Sequence, residues 1–244
     1  MKKMNKKGFT LIELLAVIII LGVLMIIAIP SVTSYIQNSR KSAFTDSGLN
    51  YVKSGINLVN SGDKMRFYDT STLYLIPAGH TEGKTCISLE SGGQSPFSDT
   101  WAYAYVGVTY DGTGYTYYFV AEDGAGQGVP FLTQTDLQNL GADAVYSSSK
   151  KNSALETFYA GSDNEELTTL NDVLSGLTTP SDYTGVKTKI TETNVTVGST
   201  SVKALKIGEG ADAPVYTKIV VLGAPACEFK QAVTSAGKTP TTTP

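Results

Sequence analysis

Apolar residues crowd one end of the chain. From Leu14 to Ile29 only Gly22 falls outside the hydrophobic set. Extending back to Phe9 gives 21 residues interrupted only by Thr10, Glu13 and that glycine. At about 1.5 Å per residue this is roughly 30 Å of helix, one hydrocarbon thickness, with no polar stripe left for water. Beyond it the pattern becomes amphipathic. Ile29, Val32, Ile36, Ala43, Tyr51, Val52, Ile56 and Val59 recur mostly at helical spacings, with Ser34, Gln37, Asn38, Arg40 and Lys41 on the opposite face. Asn60-Ser61-Gly62-Asp63 ends the helix, glycine supplying a left-handed cap.

The period then changes to two. Trp101 to Tyr110 alternates, with Ala102, Ala104, Val106 and Val108 on one face and Trp101, Tyr103 and Tyr105 on the other. Asp111 to Gly114 reads as a turn and Tyr115 to Ala121 as a returning strand, so 101–121 is a predicted hairpin. Its small-residue face suits close approach by the helix. Further strands are expected at 72–76, 85–89, 187–196, 202–207 and 215–222, and short helices at 133–140 and 164–175, the second with Asp163 as N-cap. The fold class is α+β: a long N-terminal helix, transmembrane in its first half and amphipathic in its second, packed on an antiparallel sheet of four to seven strands.

Charge and composition narrow the function. The net charge is −3, but Lys2, Lys3, Lys6 and Lys7 place +4 in the first eight residues, leaving −7 on the remainder. That disfavours a broad basic nucleic-acid surface, and it puts the N-terminus in the cytoplasm by the positive-inside rule. A cleaved secretory signal fits poorly, because Ala28-Ile29-Pro30 has proline where a small residue belongs. One histidine, His80, and two cysteines, Cys86 and Cys227, exclude two-histidine mechanisms and all-cysteine zinc or iron–sulfur sites. Glu13 is the anomaly. A carboxylate one turn inside an apolar helix is unfavourable and calls for a partner or an interfacial position.

Lys6-Lys7-Gly8-Phe9-Thr10-Leu11-Ile12-Glu13-Leu14-Leu15 resembles the processing motif of class III signal sequences, found in the type IV pilins and related pseudopilins. The resemblance covers about residues 1–60, and the short lysine-rich leader is similar to those of Gram-positive bacteria. It implies the pilin fold, with a leader (1–8), a transmembrane and filament-core segment (9–30), an amphipathic segment (31–62), a β-rich head (63–234) and a flexible tail (235–244). It implies cleavage between Gly8 and Phe9 by a prepilin peptidase and N-methylation of Phe9. Glu13 then matches the family's acidic fifth residue, whose partner is the Phe9 amine of a neighbouring subunit, and Pro30 matches the proline near the end of the apolar stretch. The implied product is a helical filament of identical subunits, serving adhesion, motility or biofilm formation. It is built by an assembly platform with its ATPase, from a single-pass membrane precursor with a cytoplasmic N-terminus. The alternative is a minor pilin or pseudopilin of a type II secretion or competence-type system. No enzyme activity, cofactor, metal or specific nucleic acid is expected.

The remaining motifs are weaker. Cys86 and Cys227 are a candidate disulfide closing a loop of about 140 residues, worth roughly 5 kcal/mol on the chain-entropy estimate; two free thiols are the alternative. Glu122-Asp123-Gly124 through Gly128 fits neither a phosphate cradle nor an EF-hand and reads as a flexible connection. Ser147 to Lys150 has Ser-x-x-Lys spacing without its companion motifs. His80 with Glu82 is at most a surface contact, and the acidic run 163–166 is a solvated helix start. The aromatic hairpin, including Tyr115 and Tyr117, reads as packing, and Asn194-Val195-Thr196 fits a glycosylation sequon.

Overall fold

The computed structural model describes residues 10–62, 67–79, 89, 92–147, 155–156, 174, 177, 183–222 and 229–233. His80, Cys86, Cys227, the tail 235–244 and nearly all of the expected strand 85–89 and helix 164–175 lie outside them. The chain divides into two compact units, 1–40 and 41–244. Helix α1 runs from Leu11 to Ser61.

In the first unit α1 is held by its own backbone bonds and by a few local side-chain bonds. Leu11 to Ile36 presents large apolar side chains on every face, all exposed, from Leu11 at 85% to Ile36 at 45%. Ile- and Val-rich sequence is a moderate helix former in water, but an apolar medium requires the backbone to satisfy itself, and a helix does so. Pro30 lies inside α1. It lacks the N–H that would pair with the Ile26 carbonyl, and Thr33 donates its hydroxyl to the nearby Ile29 carbonyl at 2.9 Å.

In the second unit the helix from Lys41 onward buries Phe44, Thr45, Gly48, Tyr51, Val52, Gly55 and Val59. The face differs from the sequence expectation: Ala43 is exposed and Ile56 only half-buried, while Phe44 and two glycines form the contact. The glycines permit it. A Cβ on Gly48 would sit 2.7 Å from the Phe119 ring, and one on Gly55 would sit 3.0 Å from Val106. Seven residues apart, they share the face that lies on the sheet. Gly62, with φ 64°, lies just beyond the helix in the left-handed conformation expected of it.

The sheet has seven strands in the order β10-β9-β1-β2-β3-β4-β5. They are β1 (Thr72–Pro77), β2 (Trp101–Tyr110), β3 (Tyr115–Asp123), β4 (Gln127–Thr133), β5 (Tyr146–Ser147), β9 (Lys218–Leu222) and β10 (Phe229–Val233). A second sheet has β6 (Ile190–Val197), β7 (Thr200–Ile207) and β8 (Val215–Tyr216) in sequence order. Helix α2 (Gln134–Leu140) follows β4, where Thr133 caps it by accepting the Asp136 N–H at 3.1 Å. Every pairing is antiparallel except β1 with β9, which is parallel.

Three departures from the sequence reading have identifiable causes. The expected face of Trp101 is reversed. The β2–β3 register slips between Trp101 and Tyr103, a bulge that turns Trp101 to the helix side. There it meets Phe44 edge-on at 5.0 Å and Tyr51 at 6.2 Å. The connection after β3 is a closed turn, because Asp123 accepts the N–H groups of Ala125 and Gln127 and the Ser95 hydroxyl, and the chain returns at once as β4. The expected strand 215–222 is two strands in two sheets. It breaks at Thr217, where the Ser71 carbonyl accepts the N–H groups of both Thr217 and Lys218.

Asp69 secures that crossing. Burial works against its charge, but hydrogen bonds from Ser71 and the Lys218 ammonium at 3.2 Å hold its carboxyl down at about 2. Because the folded value lies below the ordinary 3.8, the stabilisation is present above that pH and is lost as pH falls from about 4 toward 2. Urea midpoints of the detergent-solubilised chain are expected to drop through that window, and Asp69→Asn should flatten part of the drop. An identical pH profile in the variant removes this role.

The opposite sheet face is also covered. Tyr118 stacks on Phe131 at 4.6 Å, and Leu205, Ile207 and Tyr216 of the second sheet join the same buried cluster. Tyr146 donates to the buried Glu122 carboxylate at 3.3 Å. Burial pushes the Tyr118 hydroxyl up to about 12, and those of Tyr103 and Tyr146 higher still. The core therefore centres on the helix–β2–β3 contact. Trp101→Ala is expected to cost about 3–5 kcal/mol in urea denaturation followed by circular dichroism. A loss below about 1 kcal/mol contradicts that packing.

Candidate functional site at the start of the helix

Thr10 and Glu13 build the N-terminus of α1. One Glu13 carboxylate oxygen accepts both the backbone N–H and the hydroxyl of Thr10, each at 2.8 Å, and the Glu13 N–H returns to the Thr10 hydroxyl oxygen at 3.3 Å. The first helical bond follows, from the Leu14 N–H to the Thr10 carbonyl at 3.2 Å. This is a reciprocal capping box. It satisfies two donors at the helix start and places a negative charge at the positive end of the helix dipole. The sequence reading gave Glu13 a partner on a neighbouring chain. The structure gives it one in its own chain, on an exposed turn, and that partner is reachable from sequence alone through the Thr-x-x-Glu spacing.

Gly8 and Phe9 lie outside the described residues. Glu13 and Pro30 are both on α1, 17 positions apart, so they do not form one site. What joins them is the apolar surface between, long and apolar enough to cross a membrane. Among the described residues no group of three or more His, Cys, Asp or Glu side chains is placed to hold a metal ion. The region around 122–128 is a structural turn, and Tyr103 and Tyr105 are core residues. Nothing there converges as a reacting group with a nucleophile or an acid–base pair.

The match to a known family falls on the N-terminal segment. Residues 3–29 match the family described as "Prokaryotic N-terminal methylation motif". This N-terminus resembles those of type IV pilin-like proteins. Two curated proteins are similar to the chain: the ComG operon protein 3 homolog of Bacillus licheniformis and the competence protein ComGC of Bacillus subtilis. Each is 50% identical over 38 residues, which is 16% of this chain and 39% of the relative. The chain thus spans well under half the length of the curated relatives it matches. No solved structure matches it.

Proposed function

We propose that the chain is a prepilin, cut between Gly8 and Phe9 by a prepilin peptidase, N-methylated at Phe9 and polymerised into a cell-surface filament through its apolar helix. The observation that carries this is the combination of the methylation motif with the helix surface from Leu11 to Ile36, exposed on every face of the single chain. Such a surface is stable in lipid and equally stable among copies of itself, so transfer between the two exchanges one apolar environment for another. Glu13 is the group that distinguishes them. Lipid offers it no positive partner, whereas a neighbouring copy offers the Phe9 amine, and opposite charge offsets its desolvation. Pro30 gives the helix a site of local adjustment as it is packed. The assembly platform, its ATPase and the membrane are the partners this pathway needs, with the head carried outside the cell.

A second reading is favoured by the printed names of the two Bacillus relatives: a competence-type pseudopilin, with the fibre serving DNA uptake. Sheared surface material examined by mass spectrometry separates the readings. The filament reading expects an abundant chain beginning at methylated Phe9. The competence reading expects the same processed chain at low abundance, with transformation lost on its deletion. Native protein still beginning at Met1 overturns both.

A further inference from the structure

The hairpin of β6 and β7 has two unlike faces. They pair over their full length, from Ile190 with Ile207 to Val197 with Thr200, around Gly198 at φ 65°. β8 joins β7 only opposite Leu205 and Lys206, and among the described residues no strand lies along the outer edge of β6. Thr193, Val195 and Val197 of β6 share one side with Thr200, Val202 and Ala204 of β7. At the root of that side Ala204 is fully buried, but toward the tip Val195 and Val202 are half-buried and Val197 is 56% exposed. The other side packs Ile190, Leu205 and Ile207 into the core at its root and is polar toward the tip, with Asn194, Thr196 and Ser201 beside a 2.7 Å ion pair of Glu192 with Lys203. A two-stranded ribbon is marginal in water, and one that carries an uncovered valine face is short of a partner.

Charge identifies that partner. Residues 187–207 hold Lys187, Lys189, Lys203 and Lys206 against Glu192, a balance of +3, with Lys189 also 3.8 Å from Glu209. Without the four N-terminal lysines the rest of the chain sums to −10. The arm is therefore complementary to the surface of its own protein, and in a fibre a second copy is held beside it at a fixed distance.

We infer that the β6–β7 arm is a subunit–subunit contact: its valine face docks on the acidic head of a neighbouring copy in the assembled fibre. The inference rests on the filament reading above. It differs from the helix contact in being made outside the membrane by the head, and in being sensitive to salt. The test places a photo-crosslinking benzoyl-phenylalanine at Val197 in the full chain and irradiates intact fibres and detergent-dissolved subunits. The expected result is a ladder of covalent oligomers from fibres, mapped to the head of another copy, reduced at high salt and lost in detergent. Lys187→Glu with Lys189→Glu is expected to lower the yield in fibres that still form. Fibres that form normally yet give no cross-link, or cross-links to a different protein, overturn the arm contact and leave the filament reading intact. Failure of the native chain to form fibres at all overturns both.

Discussion

A chain carrying Gly8→Trp is expected to collect in the membrane at precursor length, unmethylated, with none in sheared fibres. The proposed cut falls on the N-terminal side of the Thr10 cap, and the hydrogen-bonded helix begins at Leu11. In that proposal the cut lies two residues ahead of Leu11, the first helical residue. Glycine there brings no side chain and the widest backbone freedom, whereas an indole demands space at the residue entering the peptidase. The readout is intact mass and mobility on a gel. Mature-length protein from this variant refutes the assigned cut.

The second expected result concerns Glu13→Val. The variant should enter the membrane as well as the native chain, since it removes a charge from an apolar helix. It should then fail to enter fibres, because nothing is left to meet the Phe9 amine of the neighbour. The capping box complicates a simple interpretation, and Glu13→Gln resolves it. Glutamine keeps an oxygen for the Thr10 N–H and hydroxyl but carries no charge. If charge pairing between copies is the role, the Gln variant assembles no better than the Val variant. If Gln assembles like the native chain, Glu13 acts by capping its own helix, and the pairing role is overturned. Fibre yield per cell, normalised to membrane-inserted subunit, measures both.

Much of the architecture follows from local rules. The apolar run, the end of α1 at Gly62 and the hairpin around Asp111–Gly114 are set by neighbours in sequence, and each is where periodicity and turn chemistry place it. What escaped depends on distant partners. Trp101 turns inward because of a bulge against β3, and no alternation pattern encodes that slip. Gly48 and Gly55 look like helix weakeners until Phe119 and Val106 are seen against them. The division of 215–222 between two sheets rests on Ser71, well over a hundred residues earlier. The candidate site was more legible. Glu13 stood out as a charge in an apolar helix, and its cap was missed, although Thr10 lies three positions before it.

The parallel pairing of β1 with β9 governs the order in which the head can mature. Thr72 lies opposite Lys218. Synthesis runs from the N-terminus, so β1 is made long before its neighbour exists. For that interval one flank of β1 is an open template, available to any passing strand. The final stretch of polypeptide closes it. A nascent head halted short of Lys218 should thus be sticky and protease-sensitive, while one released a few residues past Leu222 should become abruptly resistant.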